Sequence, residues 1–173
     1  MINAAPKPPP PPPPKPKPKP RLTFSKARLA GSFTTAARVN SASGINVKPG
    51  STLHLTWEFT PQCSAGSCGT RMTFKFVHPS LDPHTARVSL SRSGASYAGS
   101  SRATLVECSV EDVYGMMRIQ LRVTNGVWIN GRWRATHFTG TMRFEASAAT
   151  AALGSIRCPA ASFRSTVGGS LER

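Results

Sequence analysis

The sequence predicts an all-β protein whose strands form an antiparallel up-and-down meander. Three observations support this fold class. Apolar and polar residues alternate with a period of two, short turn signals separate the alternating runs, and no run carries an apolar stripe at helical spacing. The runs number about eight, and an even number lets the first and last strands pair in antiparallel fashion. We therefore expect a closed or nearly closed, lipocalin-like barrel. A two-sheet β-sandwich is the alternative, because periodicity does not reveal closure.

The predicted strands follow one another along most of the chain. They cover residues 29–41, 51–60, 71–77, 85–91, 96–106, 116–129, 132–146 and 161–172. In the second run, Leu53, Leu55 and Trp57 alternate with polar residues. Such alternation is typical of a strand with one buried and one solvated face. The segment "ASAATAALGS", residues 146–155, fits either one or two helical turns or a loop.

Cross-strand register decides between two candidate turns for the hairpin of the sixth and seventh strands. A turn at Asn130-Gly131 keeps the apolar residues of both strands on one side, whereas a turn at Asn125-Gly126 would set Ile119 opposite Arg132. The favoured register pairs Met117 with Phe144, Ile119 with Met142, Val123 with Phe138, Arg118 with Arg143, Gln120 with Thr141 and Arg122 with Thr139. Asn125-Gly126 then becomes a bulge or bend inside a long strand.

Three other turn or bulge positions follow from the same pattern. Pro49-Gly50 predicts a turn before the second strand. Ser93-Gly94 predicts the turn between the fourth and fifth strands, which sets Leu90 opposite Tyr97. On the seventh strand the inward-facing apolar residues change parity, which predicts a bulge near Thr136-His137.

The inward-facing residues are of mixed size. They include the large Trp57, Phe138 and Phe144 and the small Ala86, Ala135 and Gly140. We expect the aromatic side chains of Trp57, Phe74, Trp128 and Trp133 to lie in the core. An eight-stranded barrel either fills its interior with side chains or leaves room for one small ligand, and these residue sizes fit both outcomes.

Four cysteines, Cys63, Cys68, Cys108 and Cys158, predict two disulfides rather than a metal site, because no CxxC or Cys/His pair has zinc-ligand spacing. Cys63 and Cys68 flank a short polar loop whose ends can approach within disulfide range. Cys108 then pairs with Cys158. Persistent disulfides imply an oxidising compartment outside the cytosol, although four reduced, buried cysteines in a cytosolic protein are the alternative.

The first residues form a low-complexity stalk that differs in composition from everything after it. Of the 16 prolines, 11 lie between Pro6 and Pro20, so we divide the chain into a disordered stalk, residues 1–21, and one β domain, residues 22–173. Proline-rich sequence favours polyproline II, which would extend this stalk by about 45 Å. Recognition of its PxxP elements by a partner domain is the alternative role. A spacer needs an anchor, and "MINAA" resembles no signal peptide. We therefore expect a membrane segment ahead of Met1 in a longer protein.

The chain is strongly basic, with a formal net charge of +15. Five of these charges lie in the stalk, so the β domain carries about ten. Such a charge favours polyanionic partners: an acidic cell-wall polymer, an anionic membrane surface or, less favoured, a nucleic acid. The competing interpretation is a solvated basic surface without a partner.

One group of arginines stands out within the predicted sheet. The favoured register places Arg118, Arg122 and Arg143 on the polar face, with Arg118 directly opposite Arg143. Like charges opposed across a strand pair destabilise a sheet. We therefore expect either a nearby acid such as Glu145 or an anionic ligand at this candidate anion-binding site. A solvated face is the alternative.

Catalytic motifs are not evident, so we expect a non-enzymatic protein without a cofactor. The chain has only seven acidic residues, whose spacing forces no two together, and it has no G-x-S-x-G elbow. The run "HPSLDPH" contains His78, Asp82 and His84, but two prolines and the wide histidine spacing fit a loop better than a zinc site.

Four segments carry a resemblance to a known type of domain. They are "VKPGSTLHLTWEFTPQCSAGSC", "VSLSRSGASYAGS", "NGRWRATHFTGTMRF" and "CPAASFRSTVGGSLE". Together they resemble exported actinobacterial β domains of unknown function that follow a membrane segment and a low-complexity linker. The resemblance implies an extracellular or cell-envelope domain and supplies no catalytic residues. Together with the stalk, it leads us to expect an envelope binding or sensing module, with a basic polyanion-binding protein as the alternative.

Overall fold

The protein is described here by a computed structural model that covers residues 23–45, 47–64, 66–76, 84–108, 111–150 and 157–172. The described chain forms ten β-strands. They are β1 (Gly31–Ser43), β2 (Thr52–Pro61), β3 (Thr70–Phe76), β4 (His84–Ser93), β5 (Ser96–Cys108), β6 (Glu111–Ile129), β7 (Arg132–Ala146), β8 (Ala149–Thr150), β9 (Arg157–Cys158) and β10 (Ala161–Leu171). The described residues contain no helix.

Eight of these strands form one closed antiparallel barrel in the order β1-β10-β7-β6-β5-β4-β3-β2. Closure is made by β1, which pairs with β2 on one side and with β10 on the other. The expected meander and its closure are therefore confirmed, and the alternative sandwich is wrong. The strands β8 and β9 form a separate two-stranded sheet inside the connection between β7 and β10. This sheet was not expected from the sequence, which offered a helical turn or a loop there.

The register of β6 with β7 is the one that the sequence favoured. Its turn is at Asn130-Gly131, where both residues have positive φ, as a two-residue hairpin turn requires. All six predicted residue pairs are present. Two register shifts occur between Val123 and Gly126, and the partner strand skips Thr136 at the same level. Both predicted irregularities are thus confirmed, and they face each other across the strand pair.

The register of β4 with β5 differs from the prediction by two residues. The turn is at Gly94-Ala95, so Tyr97 lies opposite Arg92 rather than opposite Leu90. A two-residue slip keeps every side chain on its predicted face, and both Leu90 and Tyr97 remain buried. Alternation alone could not detect this error, because both registers bury the same residues.

An aromatic cluster fills part of the barrel interior around Phe138. The ring of Phe138 lies 5.4 Å from that of Phe33, 5.5 Å from that of Phe59 and 5.7 Å from that of Trp57. Phe74 is buried as predicted, whereas Ala86 is only partly buried. Such edge-to-face and stacked contacts add to the burial energy of aromatic rings.

The placement of two tryptophans corrects the predicted core. Trp57 is fully buried, but Trp128 is 36% exposed and Trp133 is only partly buried. Both lie on the part of the β6–β7 hairpin that extends past the bulges, where Trp133 still packs against the buried core and Trp128 is exposed. The prediction for Trp128 is therefore wrong, because alternation does not indicate where a long hairpin leaves the barrel wall.

Two glycines allow aromatic rings to lie against neighbouring strands. A Cβ atom on Gly169 would come 2.3 Å from Cζ of Phe138, and one on Gly115 would come equally close to Phe144. Each ring therefore occupies the volume that a side chain on the adjacent strand would need. This close approach explains why glycine occurs inside strands that otherwise favour larger residues.

Residues 23–30, which we call the N-terminal segment, cover one end of the barrel. Ala27 and Leu29 are buried, and Leu29 N–H donates to the hydroxyl of Tyr97 at 3.3 Å. Arg28 forms a parallel bridge with Arg134 of β7. The same end carries the β2–β3, β4–β5 and β6–β7 connections, and we call it the hairpin end. The described chain enters the barrel there.

Several expectations lie outside the described residues. They concern the stalk, residues 1–21, and the structure of His78 and Asp82 in the β3–β4 connection. No helix among the described residues has the length and apolar character needed to cross a membrane.

Candidate functional site

The outer wall formed by β6, β7 and β10 carries a row of arginines. Arg118 lies opposite Arg143, as predicted, and Arg143 lies opposite Arg164 of β10. All three side chains are exposed. Because hydrogen-bonded strands lie about 4.8 Å apart, the three backbones span only about 10 Å of the wall. Three guanidinium groups are therefore concentrated on adjacent strands.

Two further arginines extend this row into a larger surface. Arg122 lies four residues from Arg118 on the same face of β6 and is opposite Thr139. Arg38 of β1 is opposite Thr166, two residues beyond Arg164 on β10. The five exposed residues form what we call the arginine face: Arg38, Arg118, Arg122, Arg143 and Arg164. Three of them, Arg118, Arg122 and Arg143, were predicted from the sequence.

One carboxylate partly neutralises the arginine face. Glu145 accepts a hydrogen bond from Arg118 at 2.8 Å and another from Arg143. The hydrogen bond from Arg143, more than any other contact, lowers the pKa of the Glu145 carboxyl below its ordinary value of 4.5. The expected acid is thus confirmed, and it relieves the repulsion between Arg118 and Arg143. Among the described residues, Arg122 and Arg164 form no ion pair.

A shallow groove adjoins the arginine face at β1. Its volume is about 780 Å³, and its lining includes Arg38, Asn40, Gly50, Thr166 and Gly168. It lies where the register of β1 with β10 shifts between Val39 and Ser41, which leaves Asn40 out of the ladder. The side chain of Asn40 then reaches across and donates to Thr166 Oγ1 at 2.9 Å. This bulge therefore supplies polar groups beside the cationic wall.

An exposed aromatic residue lies on the same side of β6 as Arg118 and Arg122. Tyr114 is 57% exposed, and the guanidinium carbon of Arg102 lies 5.4 Å from the centre of its ring. β6 therefore combines arginines with an exposed aromatic residue. The aromatic residues considered in the sequence were the tryptophans and Phe74, and Tyr114 was overlooked, although the parity of β6 already placed it outside.

The Cys63–Cys68 disulfide is present and closes the β2–β3 loop at the hairpin end. Arg28 of the N-terminal segment donates to the carbonyl oxygen of Cys63 at 2.5 Å, and Arg132 donates to that of Ser64 at 2.6 Å. The side chains of Cys108 and Cys158 lie outside the described part of the chain, so their predicted bond stays a prediction.

Four buried polar atoms in the described part of the chain lack a hydrogen-bond partner, and the described side chains form no metal-binding group. Trp57 Nε1, Thr70 Oγ1, Trp133 Nε1 and Ser165 Oγ are buried without a hydrogen-bond partner among the described residues. No group of three or more His, Cys, Asp or Glu side chains in the described ranges is placed to hold a metal ion. Of the "HPSLDPH" run, only the backbone of His84 is described.

Comparison of the chain with protein-family models, with curated proteins and with solved structures finds no match.

Proposed function

We propose that this protein is a non-enzymatic binding module of the cell envelope, and that its β-barrel binds an anionic cell-wall polymer through the arginine face. The observation that carries the proposal is the row of Arg118, Arg143 and Arg164 on three adjacent strands. Glu145 relieves the repulsion between Arg118 and Arg143, but Arg164 lies opposite Arg143 without a described carboxylate partner, and opposed like charges weaken strand pairing. A polyanion would turn this cost into a favourable interaction.

The geometry of the arginine face suits a linear polymer better than a single small anion. Its five guanidinium groups are spread over four strands on the exposed wall, whereas a small anion is normally held by converging donors. Arginine also forms planar, bidentate contacts with phosphate and carboxylate groups. The polar groove beside Arg38 extends the surface with hydrogen-bonding groups for the uncharged parts of a repeating unit.

The proposed location follows from different observations. The Cys63–Cys68 disulfide supports residence in an oxidising compartment. The proline-rich sequence ahead of the barrel is typical of a spacer that holds a domain at a distance from its anchor. We propose that the barrel is the outer part of a membrane-anchored protein and that the stalk links the barrel to its membrane segment.

The experiment measures binding of the full chain to long-chain inorganic polyphosphate, polyglutamate and neutral dextran at several salt concentrations. A triple variant, Arg118→Gln with Arg143→Gln and Arg164→Gln, should weaken binding to both polyanions. The slope of log affinity against log salt should fall by about 2, as three lost contacts to a single-stranded polyanion predict.

A matched control removes the same number of charges from the opposite wall. Arg71, Lys75 and Arg87 are exposed on β3 and β4, and the variant Arg71→Gln with Lys75→Gln and Arg87→Gln lowers the net charge equally. Its binding should resemble that of the unchanged protein. Equal losses in the two triple variants would show that only net charge matters and would overturn the proposal for the arginine face.

Single-stranded nucleic acid is the second candidate ligand, and one observation favours it. Tyr114 is exposed beside Arg102, a pairing on which a nucleic-acid base can stack. If the ligand is nucleic acid, Tyr114→Ala should weaken binding to oligo-dT about tenfold while leaving polyphosphate binding unchanged. Preference for polyphosphate, with no effect of Tyr114→Ala on either ligand, supports the wall polymer instead.

A further inference from the structure

The β6–β7 hairpin continues past its pairing with β5 and β10 as a ribbon with an apolar tip, and Arg28 of the N-terminal segment pairs with the β7 strand of this ribbon. Three successive residues near its turn are exposed: Val127 by 38%, Trp128 by 36% and Ile129 by 41%. Successive strand residues point to opposite faces, so a strand in a barrel wall normally exposes only alternate ones. The ribbon therefore presents apolar side chains on both of its faces.

The two faces of the ribbon differ in chemistry. Trp128 lies opposite Trp133, and their ring centres are 5.3 Å apart in an edge-to-face contact. On the other face, Val127 lies opposite Arg134 and Ile129 opposite Arg132. One face is thus aromatic, and the other combines branched aliphatic side chains with two cations. The tip sequence from Asn125 to Arg134 contains no acidic residue.

The cations at this end of the barrel are not neutralised by described carboxylates. Arg28 donates to the carbonyl oxygens of Cys63 and Ser64, Arg132 to that of Ser64, and Arg134 to that of Ala30. Arg92 likewise donates to carbonyl oxygens of Gly94, Ser25 and Ala27. Carbonyl groups orient a guanidinium but leave its charge intact. The hairpin end therefore has a fixed positive charge around an exposed apolar tip.

We propose that the tip of the β6–β7 hairpin inserts into the headgroup region of an anionic lipid bilayer. Tryptophan favours this region because its ring is apolar and its N–H is polar. Val127 and Ile129 supply apolar area to bury, and the surrounding arginines attract anionic headgroups. A soluble polyanion would match the charges but would leave the apolar tip in water, so the bilayer accounts for both features.

The entry point of the chain agrees with this orientation. The N-terminal segment begins at the same hairpin end, where Ser25 and Ala27 accept hydrogen bonds from Arg92. The sequence immediately before it contains four lysines and Arg21 and no acidic residue. The strongly basic part of the sequence thus joins the barrel where the proposed membrane contact lies.

The test measures partition of the full chain onto vesicles of phosphatidylcholine alone and of phosphatidylcholine mixed equally with phosphatidylglycerol. We expect binding to the mixed vesicles only, with a blue shift of tryptophan fluorescence and quenching by brominated lipid. Trp57 is fully buried and Trp133 is partly buried against the core, so the change would report chiefly Trp128. Ile129→Ser should weaken partition about tenfold, since it withdraws one large apolar side chain. Arg132→Gln should weaken it about fivefold.

Matched controls separate the tip from general surface effects. Met116 is 37% exposed, nearly as much as Ile129, but lies on the barrel wall, so Met116→Ser should leave partition unchanged. Arg87→Gln removes one charge far from the hairpin end and should also have little effect. Melting temperatures of all variants, measured in parallel, establish that each is folded.

Three results would overturn the proposal. Equal binding to both vesicle types would show that charge does not contribute to binding. If Ile129→Ser partitioned onto vesicles as strongly as the unchanged protein, the hairpin tip would not be the contact. A concentration-dependent dimer that Ile129→Ser abolishes, without vesicle binding, would identify a second copy of the chain as the partner. The test is independent of the arginine face, because the Arg118, Arg143 and Arg164 triple variant should still bind vesicles.

Discussion

Arg28 and Cys63 join the N-terminal segment to the disulfide-closed loop. Arg28 Nη2 donates to the carbonyl oxygen of Cys63 at 2.5 Å and lies 2.9 Å from Sγ of Cys68. The two residues are 35 positions apart in sequence, so this contact is tertiary. It fixes the point at which the chain enters the barrel. The disulfide therefore contributes to the attachment of the N-terminal segment as well as to the loop that it closes.

Replacing Arg28 with alanine should destabilise the fold by about 2 kcal/mol. The change removes charged hydrogen bonds to two carbonyl groups and the partly buried stem of the side chain. Urea unfolding followed by circular dichroism measures the effect. Lys26→Ala is the control, because Lys26 is exposed and should change stability by less than about 0.5 kcal/mol. Equal effects of the two changes would contradict the role assigned to Arg28.

Replacing Cys63 and Cys68 with serine should cost about 2 kcal/mol on the chain-entropy estimate for so short a loop. Part of this loss of stability should come from weaker hydrogen bonds to Arg28, because the loop presents the carbonyl groups that Arg28 binds. That part is already lost in Arg28→Ala. A double-mutant cycle measured by urea unfolding should therefore give a sum of single effects larger than the effect of the combined variant. Strict additivity would show that the loop keeps its shape without the disulfide.

The sequence predicted the register of β6 with β7 because the turn is short and both strands alternate strongly. Cross-strand pairing then placed Arg118 opposite Arg143 and suggested Glu145 as the neutralising acid. Arg164 was missed for a physical reason: the connection from β7 to β10 is long, so no turn type fixes the register of the last strand. Once the barrel closes, the position of Arg164 beside Arg143 follows from the pairing of β7 with β10.

Replacing Glu145 with glutamine should lower stability at neutral pH and strengthen polyanion binding, since the arginines lose their only described carboxylate partner. The pKa of Glu145 is lowered in the folded protein, chiefly by the hydrogen bond from Arg143. The Glu145 carboxylate therefore stabilises the fold at pH values above the pKa that it has in the unfolded protein. This contribution is lost as the pH falls through the pKa of Glu145 in the folded protein. The melting temperatures of the two proteins should converge at acidic pH. A constant difference at every pH would show that the carboxylate charge is not involved.

Two neighbouring glycines provide a test of the barrel packing. Gly169→Ala places a methyl group 2.3 Å from Phe138 Cζ, so the ring must move, and we expect a loss of about 1–3 kcal/mol. Gly168→Ala is the control, because the nearest atom to its new Cβ is Phe138 O at 3.9 Å. Chemical denaturation of the two variants gives the comparison. A greater loss for Gly168→Ala would contradict the described orientation of β10.

Replacing Tyr97 with phenylalanine should cost about 1–2 kcal/mol, because the buried Leu29 N–H loses its acceptor. Burial raises the pKa of the Tyr97 hydroxyl above its ordinary value of 10.0, although the hydrogen bond from Leu29 and the charge of Arg92 oppose this shift. The neutral hydroxyl of Tyr97 therefore stabilises the fold at pH values below the pKa that Tyr97 has in the unfolded protein. This contribution is lost as the pH rises through the pKa of Tyr97 in the folded protein. Ultraviolet titration of the Tyr114→Phe variant isolates Tyr97. Ionisation below pH 10 would contradict the burial of its hydroxyl.

The paired irregularities of β6 and β7 separate the hairpin tip from the barrel. One residue is skipped on each strand, near Thr124 and at Thr136, so the pairing beyond them resumes in the same register as before. The two displacements cancel, so the pairing of β6 with β7 in the barrel wall does not depend on the length of the hairpin beyond the bulges. Adding residues in opposed pairs at the turn, between Ile129 and Arg132, should therefore leave the barrel and its contacts to Arg132 and Arg134 unchanged. This makes the turn a site where a new recognition sequence can be grafted without redesigning the scaffold.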